Sequence, residues 1–316
     1  MSAGIAIGVD IGGTKTAALR VSGKGEVLDR SIHPTPAEDQ DATLDTIQEA
    51  VANVLADDVV AIGVGAAGLV NVADGTLLSS PNLSWRHVHL GEVLRSRFGL
   101  PVTIDNDATA AAWAESRIGA SAGCDDSLFV GVGTGIGGGI IAGGRLIRGA
   151  RGLAGEIGHT IVEPDGPRCG CGNRGCWEQV ASGLAIERAG QRAARDAPDS
   201  QLGRIAGGDP ARVTGEVVTA AAKDGDTASI AILAEVGRRL GEGIAGLVNV
   251  FDPEIVVVGG GAALAGDLLL EPVRAAYLDT VEGGDVRRDV PIVPAALGND
   301  AGAIGAAMLA SEAAGV

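Results

Sequence analysis

The chain has 316 residues, of which 46% are hydrophobic and 20% charged, a composition typical of a folded protein of about two domains. The formal net charge of −16 and the pI near 4.6 argue against nucleic-acid binding, which requires a basic surface. The N-terminus shows no secretory signal, and the uncharged segment 127–144 contains too many glycines for a membrane helix. With four cysteines and no export signal, we expect a protein of the reducing cytoplasm with no nucleic-acid or membrane partner.

A unit of strand, glycine loop and strand occurs twice along the chain. The first unit comprises a strand at 5–9, the loop Asp10-Ile-Gly12-Gly13-Thr14-Lys15, and strands at 17–21 and from 26. The second comprises a strand at 128–132, the glycine-rich loop 133–139, and strands at 140–142 and 145–147. Two similar units, each with a loop of phosphate-binding size, predict two related lobes that face each other across a cleft.

The remaining segments alternate between helix and strand, which predicts the α/β class. We expect helices at 43–55, 108–117, 228–250 and 301–313, and strands at 59–64, 102–104 and 255–258. The acidic loop 119–126 is a candidate lobe boundary. We therefore expect a smaller N-terminal lobe at 1–118, to which the helix 301–316 returns, and a larger lobe at 119–300.

The glycine loops favour phosphate binding over a nicotinamide cofactor. Gly133-x-Gly135-x-x-Gly138 matches the dinucleotide fingerprint as a string, but that fingerprint requires a helix directly afterwards, and residues 140–147 predict a hairpin. Glycine-rich turns expose backbone N–H groups to anionic oxygens. Asp10 could hold Mg²⁺ through water and Thr14 could donate to a phosphate. A simple β-turn is the alternative for the segment 10–15 taken alone, and the three glycine loops together make it less favoured.

A second candidate site is the cysteine loop, residues 159–178. His159, Cys169, Cys171 and Cys176 form a complete ligand set for tetrahedral zinc. Glu156 and Glu178 bracket these ligands, which suggests that the metal fixes a loop that holds a polar small molecule. A disulfide and a zinc loop with a purely structural role are the alternatives. Cys169 and Cys171 are too close in sequence to pair readily with each other.

Several motifs together resemble one protein family. In chain order they are Asp10-Ile-Gly-Gly-Thr-Lys15, Asp105-Asn-Asp-Ala108, Gly131–Gly139, Glu156-Ile-Gly-His159, Cys169-Gly-Cys-Gly172, Gly175-Cys-Trp-Glu178 and Gly259-Gly-Gly261. The chain resembles the ROK family (repressors, open reading frames, kinases) from residue 5 to about residue 310. The segment 81–87 and Gly170-Cys-Gly resemble in particular the ATP-dependent glucokinases of actinobacteria. The resemblance implies the actin-like (sugar kinase/Hsp70) ATPase fold, with two RNase H-like lobes around a cleft.

The resemblance also implies roles for individual residues. Asp107 would be the catalytic base. The sugar would bind Gly68, Asn82, Asn106, Asp107, Glu156, His159 and Glu178. The nucleotide would contact Asp10, Gly12, Gly13, Thr14, Lys15, Thr134, Gly135, Gly259, Gly260 and Gly261. Structural zinc would bind His159, Cys169, Cys171 and Cys176. Two positions depart from the family pattern, which usually has Asn at Thr109 and Pro at Ala67.

The expected function is that of a glucokinase, which transfers the γ-phosphate of ATP to the 6-hydroxyl of D-glucose. Hexose hydroxyls donate and accept hydrogen bonds, and with aromatic residues at only 2% of the chain their recognition must rest on polar side chains. Mg²⁺ with ATP and structural Zn²⁺ are the expected cofactors, and a homo-oligomer (dimer or tetramer) is expected. The alternatives are a kinase for N-acetylmannosamine, N-acetylglucosamine, fructose or mannose, and polyphosphate as the donor. A ROK transcriptional regulator is a more distant one, because the first strand begins at Ile5 and the charge is acidic.

Overall fold

The computed structural model describes residues 4–80 and 83–315. The strands are β1 (Ile5–Ile11), β2 (Lys15–Val21), β3 (Val27–Pro34), β4 (Val59–Ala66), β5 (Leu69–Asn71), β6 (Thr76–Ser79), β7 (Arg86–Val88), β8 (Val102–Asn106), β9 (Ser127–Val132), β10 (Ile136–Ala142), β11 (Arg145–Leu146), β12 (Ile255–Gly259) and β13 (Ile292–Pro294). The helices are α1 (Gln40–Val54), α2 (Leu90–Phe98), α3 (Asp107–Ile118), α4 (Glu178–Ala181), α5 (Gly183–Asp196), α6 (Gln201–Ala206), α7 (Gly215–Lys223), α8 (Thr227–Phe251), α9 (Asp267–Thr280) and α10 (Ala301–Ala313). None of the helices within these ranges is long and apolar enough to cross a membrane.

The first sheet places acidic residues at one of its edges. Its strand order is β3-β2-β1-β4-β8, and β1, β4 and β8 run parallel. Asp10 of β1 is in register with Gly65 of β4, which is in register with Asp105 of β8. Because the carboxyl ends of parallel strands meet at one edge, Asp10 and Asp105 lie in one row there, and Asn106 and Asp107 follow directly.

Glycine allows the terminal helix to lie directly on this sheet. Gly8 and Gly63 are partners in the β1–β4 register, and a Cβ at either would overlap a backbone carbonyl oxygen of α10. Gly305 of α10 similarly allows contact with the backbone of α3, where a Cβ would overlap the carbonyl of Ala110. The alanines of α10 complete this packing, and Ala303, Ala307 and Ala310 are buried with Leu19 and Ile304 in one core cluster. The alanines of α3 are buried, and the helix packs closely against α10.

The second large sheet has the order β11-β10-β9-β12-β13. β10 and β11 form the predicted antiparallel hairpin, but β10 begins at Ile136, inside the predicted loop 133–139. The dinucleotide fingerprint therefore lacks its helix. The chain divides into two compact units, the first comprising residues up to Phe129, Gly138–Gly155 and those from Ala296 onwards. The second comprises Val130–Gly137 and Glu156–Ala295. The α/β class is confirmed, whereas the predicted lobe bounds 1–118 and 119–300 stay a prediction.

The close approach of α10 gives a first prediction. Gly63→Ala is expected to lower the free energy of unfolding by about 3 kcal/mol, because the added methyl group meets backbone and no side chain can move aside. Gly246→Ala is the matched control, since its added methyl group lies in open space on α8. There alanine should stabilise the helix by up to about 1 kcal/mol. Equal melting temperatures for the two variants would contradict this account of the packing.

Candidate active site

The proposed base, Asp107, is the first residue of α3. Asn106 caps this helix, since its Oδ1 accepts the Thr109 amide at 3.0 Å. The Asn106 Nδ2 donates to the Gly68 carbonyl at 3.2 Å, which brings these two predicted sugar-binding residues together. Asp107 Oδ1 accepts the Ala108 amide at 2.9 Å. The Asp107 carboxyl group is thus held at a helix N-terminus, at the carboxyl edge of the parallel strands.

Burial raises the pKa of three carboxyl groups at this edge, Asp10, Asp105 and Asp107, and at Asp105 the Arg148 guanidinium opposes the shift. At Asp107 the Ala108 amide partly offsets the effect of burial on the pKa. Burial raises the pKa of Asp10 to about 7, with repulsion from Asp107 and Asp300 acting in the same direction and Lys15 opposing it. Carboxylates that repel one another in a partly buried place favour a proton or a cation. The arrangement can therefore accept a proton or bind a divalent cation.

The loop after β1 is a tight turn with an exposed tip. The Gly12 amide donates to the Lys15 carbonyl at 3.0 Å, and the Thr14 carbonyl accepts the Thr35 amide at 3.0 Å. The side chains of Thr14 and Lys15 are exposed, while Gly12 and Gly13 are half-buried. The hydroxyl of Thr14 and the ammonium of Lys15 are therefore available to an anionic ligand.

The two glycine turns of the second unit adjoin each other. Gly133, at the end of β9, donates its amide to the Gly135 carbonyl at 3.0 Å and accepts the Gly183 amide of α5 at 2.8 Å. Gly260 has a φ of 82°, and a Cβ there would lie 2.5 Å from the Val132 carbonyl oxygen. The turn Gly259–Gly261 therefore passes directly over the end of β9, beside Thr134 and Gly135.

The cysteine loop gathers its four predicted ligands. The ligand atoms of His159, Cys169, Cys171 and Cys176 all lie within 4.8 Å of one another. Cys169 Sγ lies 3.6 Å from His159 Nδ1, and Cys171 Sγ lies 3.6 Å from Cys176 Sγ. A tetrahedron with Zn–S bonds of about 2.3 Å has edges of about 3.8 Å, which matches these separations. Cys169, Cys171 and Cys176 form no disulfide, so the disulfide alternative is not what the structure contains.

The donor set is also chemically suited to zinc. Burial raises the pKa of the Cys169 thiol to about 12, and the neighbouring Glu178 carboxylate acts in the same direction. Thiols crowded beside a carboxylate ionise together only when a cation compensates their charge. His159 presents Nδ1 to the cysteines, while its Nε2 lies 3.9 Å from Glu156 Oε2. One ring nitrogen therefore remains available for a ligand.

Packing that the sequence analysis did not single out anchors this loop. Trp177 is buried, and its Nε1 donates to the Arg239 carbonyl of α8 at 2.9 Å. Gly243 of α8 leaves room for the indole, because a Cβ there would overlap the ring. The Glu178 carboxylate lies directly against Gly135, since a Cβ there would overlap Glu178 Oε2. The structure thus brings Glu178 next to Gly135, a predicted nucleotide-binding residue, and next to Cys169. Asn82 lies outside the described residues.

Comparisons with known proteins decide the family. The profile of the ROK family matches residues 6–313. The chain belongs to the ROK family.

It is 43% identical over 312 residues to a glucokinase of Streptomyces coelicolor, covering 98% of each chain. A ROK family glucokinase from Streptomyces griseus, solved with glucose and AMPPNP, is 42% identical with a TM-score of 0.91, over 98% of this chain and 100% of that one. An N-acetylmannosamine kinase of Escherichia fergusonii is 35% identical over 311 residues, covering 96% and 97% of the two chains. The predicted resemblance and the actin-like ATPase fold are confirmed.

The geometry of the cysteine loop predicts about one zinc ion per chain. Cys171→Ala is expected to lose the ion and to lower the melting temperature. Cys171 is exposed, so that its truncation removes a ligand without removing core packing. Cys124→Ala is the control, since Cys124 lies outside the cluster. Metal analysis with thermal unfolding checks both variants, and full zinc content in Cys171→Ala would refute the ligand set.

The perturbed carboxyl of Asp10 predicts a pH-dependent gain in stability for Asp10→Asn. A raised pKa in the folded state means that ionisation of Asp10 costs stability as the pH rises from about 4 to about 7. Asparagine removes this cost. The variant should therefore melt higher than the parent at pH 8 without added divalent cation, and the difference should shrink towards pH 5. Asp57→Asn, an exposed change before β4, is the control. A difference that is constant with pH would contradict the assignment.

Proposed function

We propose that the chain is an ATP-dependent glucokinase that converts D-glucose to glucose 6-phosphate. The observation that carries the proposal is Asp107, a carboxyl group with a raised pKa at the start of α3, in a chain similar over nearly its whole length to glucokinases. A general base functions best when its pKa lies near the working pH, and burial moves Asp107 in that direction.

In this proposal Asp107 accepts the proton of the 6-hydroxyl as the hydroxyl oxygen attacks the γ-phosphorus and the bond to the β,γ-bridging oxygen breaks. The hydrogen bonds of Asn106 hold Asp107 at the helix start, so that the carboxylate is aimed before the sugar arrives. The other sugar hydroxyls bind a set of amides and acidic or basic groups, namely Gly68, Asn82, Asn106, Glu156, His159 and Glu178.

The phosphates of ATP bind the exposed groups of the glycine turns. Thr14 and Lys15 donate from the first loop, and Thr134, Gly135 and Gly259–Gly261 contribute backbone and side-chain donors from the second unit. Asp10 fits Mg²⁺, because its carboxyl is crowded by other acids and a cation relieves that repulsion. Bound Mg²⁺ would neutralise charge on the phosphate oxygens.

Zinc has a structural role in this scheme. His159, Cys169, Cys171 and Cys176 would hold the ion with four protein ligands, which would leave no coordination position for water or substrate. His159 would bind the ion through Nδ1 and turn Nε2 towards a sugar hydroxyl, so that the metal fixes the tautomer of a sugar-binding group. The same loop fixes Glu178, whose Oε1 lies 3.0 Å from Cys169 Sγ.

A kinase for N-acetylmannosamine is the second candidate, because the Escherichia fergusonii enzyme is 35% identical over nearly the full length. Both candidate reactions would use the same base and the same phosphoryl transfer. Their sugars differ in the substituent at the second carbon and its configuration. A homo-oligomer, dimer or tetramer, is part of the proposal.

A coupled assay over a panel of sugars, with ATP and polyphosphate as donors, tests the substrate. Glucose with ATP should give the highest kcat/KM, and removing the 2-hydroxyl or adding an N-acetyl group should mainly raise KM. Partners of a lost hydroxyl are left without hydrogen bonds. If N-acetylmannosamine gave the highest kcat/KM, the sugar assignment would be wrong while the kinase class would stand.

Asp107→Asn tests the base. We expect kcat to fall by about 100- to 10,000-fold, the usual range for losing a positioned general base, while glucose still binds. Asp57→Asn should keep the parent activity. Turnover of folded Asp107→Asn within about threefold of the parent would exclude Asp107 as the base.

A further inference from the structure

Arg148 and Asp105 form an ion pair next to the proposed base. Arg148 Nε donates to Asp105 Oδ2 at 2.8 Å, and the Asp105 side chain is only 3% exposed. The other carboxylate oxygen, Oδ1, accepts the backbone N–H of Asn106 at 2.9 Å. Because both oxygens of Asp105 are engaged, the carboxylate has one orientation and fixes the Asn106 peptide.

Asn106 transmits this constraint to Asp107. Its backbone is held by Asp105, and its side chain is held by the Thr109 amide and the Gly68 carbonyl. The direction in which Asp107 projects is set by the backbone immediately before it. A change in the orientation of the Asn106 peptide would therefore displace the Asp107 carboxylate.

The backbone of Arg148 anchors a second segment. The Arg148 carbonyl accepts the Ala154 amide at 3.0 Å, which closes the loop 148–154. Gly155 follows with a φ of 96°, and a Cβ there would lie 2.7 Å from the Gly138 carbonyl oxygen. Glu156, a proposed sugar ligand, is the next residue. Arg148 is thus tied to the start of α3 by its side chain and to the approach to Glu156 by its backbone.

We propose that Arg148 is a positioning residue for phosphoryl transfer, which through Asp105 holds Asn106 and Asp107 in the orientation that the reaction requires. The inference rests on the proposed function. Stability alone does not explain the pair, because the Arg148 side chain is 32% exposed, and ion pairs that solvent partly screens often add little to stability. Their advantage is a fixed geometry, and displacement of a reacting group by about 1 Å can cost about 100-fold in rate.

Arg148→Met tests the inference. It keeps much of the side-chain volume and removes the donor to Asp105. We expect kcat to fall by about 10- to 100-fold, with the KM for ATP unchanged. Arg148 lines an open cleft of about 460 Å³, so water can solvate Asp105 in the variant and the fold should survive. Arg145→Met is the matched control, an exposed arginine on β11 that should keep the parent kcat.

The deciding measurement repeats the change in the Asp107→Asn background. If Arg148 acts by aiming Asp107, removing it there should have no further effect on the residual kcat, because non-additivity identifies residues that act as a unit. If Arg148 had only a structural role, its removal would lower the melting temperature in both backgrounds. It would also reduce the fraction of active enzyme by the same factor in the parent and in Asp107→Asn. Arg148→Lys retains the charge and should recover part of the lost kcat, since lysine lacks the planar fork of arginine.

Three results would overturn the proposal. Arg148→Met could keep a kcat within about threefold of the parent, or it could cost the same factor with and without Asp107. If Asp107→Asn alone kept the parent activity, Asp107 would not be the base. Arg148 would then have no catalytic residue to position. Should Arg148→Met not fold, the same comparison applies to Arg148→Lys, which must lower kcat only when Asp107 is present.

Discussion

The arrangement of the first unit depends on the close contact of α10 with the β1–β4 pair. This contact exists because Gly8 and Gly63 are register partners with no side chains, so that the helix backbone lies directly on the sheet. Gly305 extends the contact to α3. The N-termini of α3 and α10 are thereby brought to the carboxyl edge of β1 and β4. The position of Gly302 shows the result, since a Cβ there would lie 3.4 Å from the Asp10 Cγ.

This packing explains why acidic groups accumulate at that edge at a cost in stability. Helix N-termini favour carboxylates, which partly offsets their burial and mutual repulsion. The offset is incomplete, because the pKa values of Asp10 and Asp107 are both raised. Functional sites are often places where such groups are kept at the expense of stability. In the proposed reaction, a bound cation and the proton accepted by Asp107 relieve the repulsion between these carboxylates.

The sequence predicted the elements better than their contacts. Local signals sufficed for α10, whose bounds Ala301–Ala313 agree with the prediction, and for the hairpin after the second glycine loop. The cysteine cluster was predictable because its ligands are close in sequence and chemically distinctive. The Gly8–Gly63 pairing could not be predicted, since in a strand pattern each glycine looks like an ordinary small residue. The pairing of Arg148 with Asp105, 43 residues away, carries no local signal either.

The central claim is that the chain transfers a phosphoryl group to the 6-oxygen of glucose. The most direct measurement is NMR of the product formed from [6-¹³C]glucose and MgATP. The account predicts a new phosphate monoester whose ³¹P resonance is coupled to the labelled carbon, with ADP formed in equal amount. Release of inorganic phosphate alone, or a new phosphate ester whose ³¹P resonance shows no coupling to the labelled carbon, would contradict it.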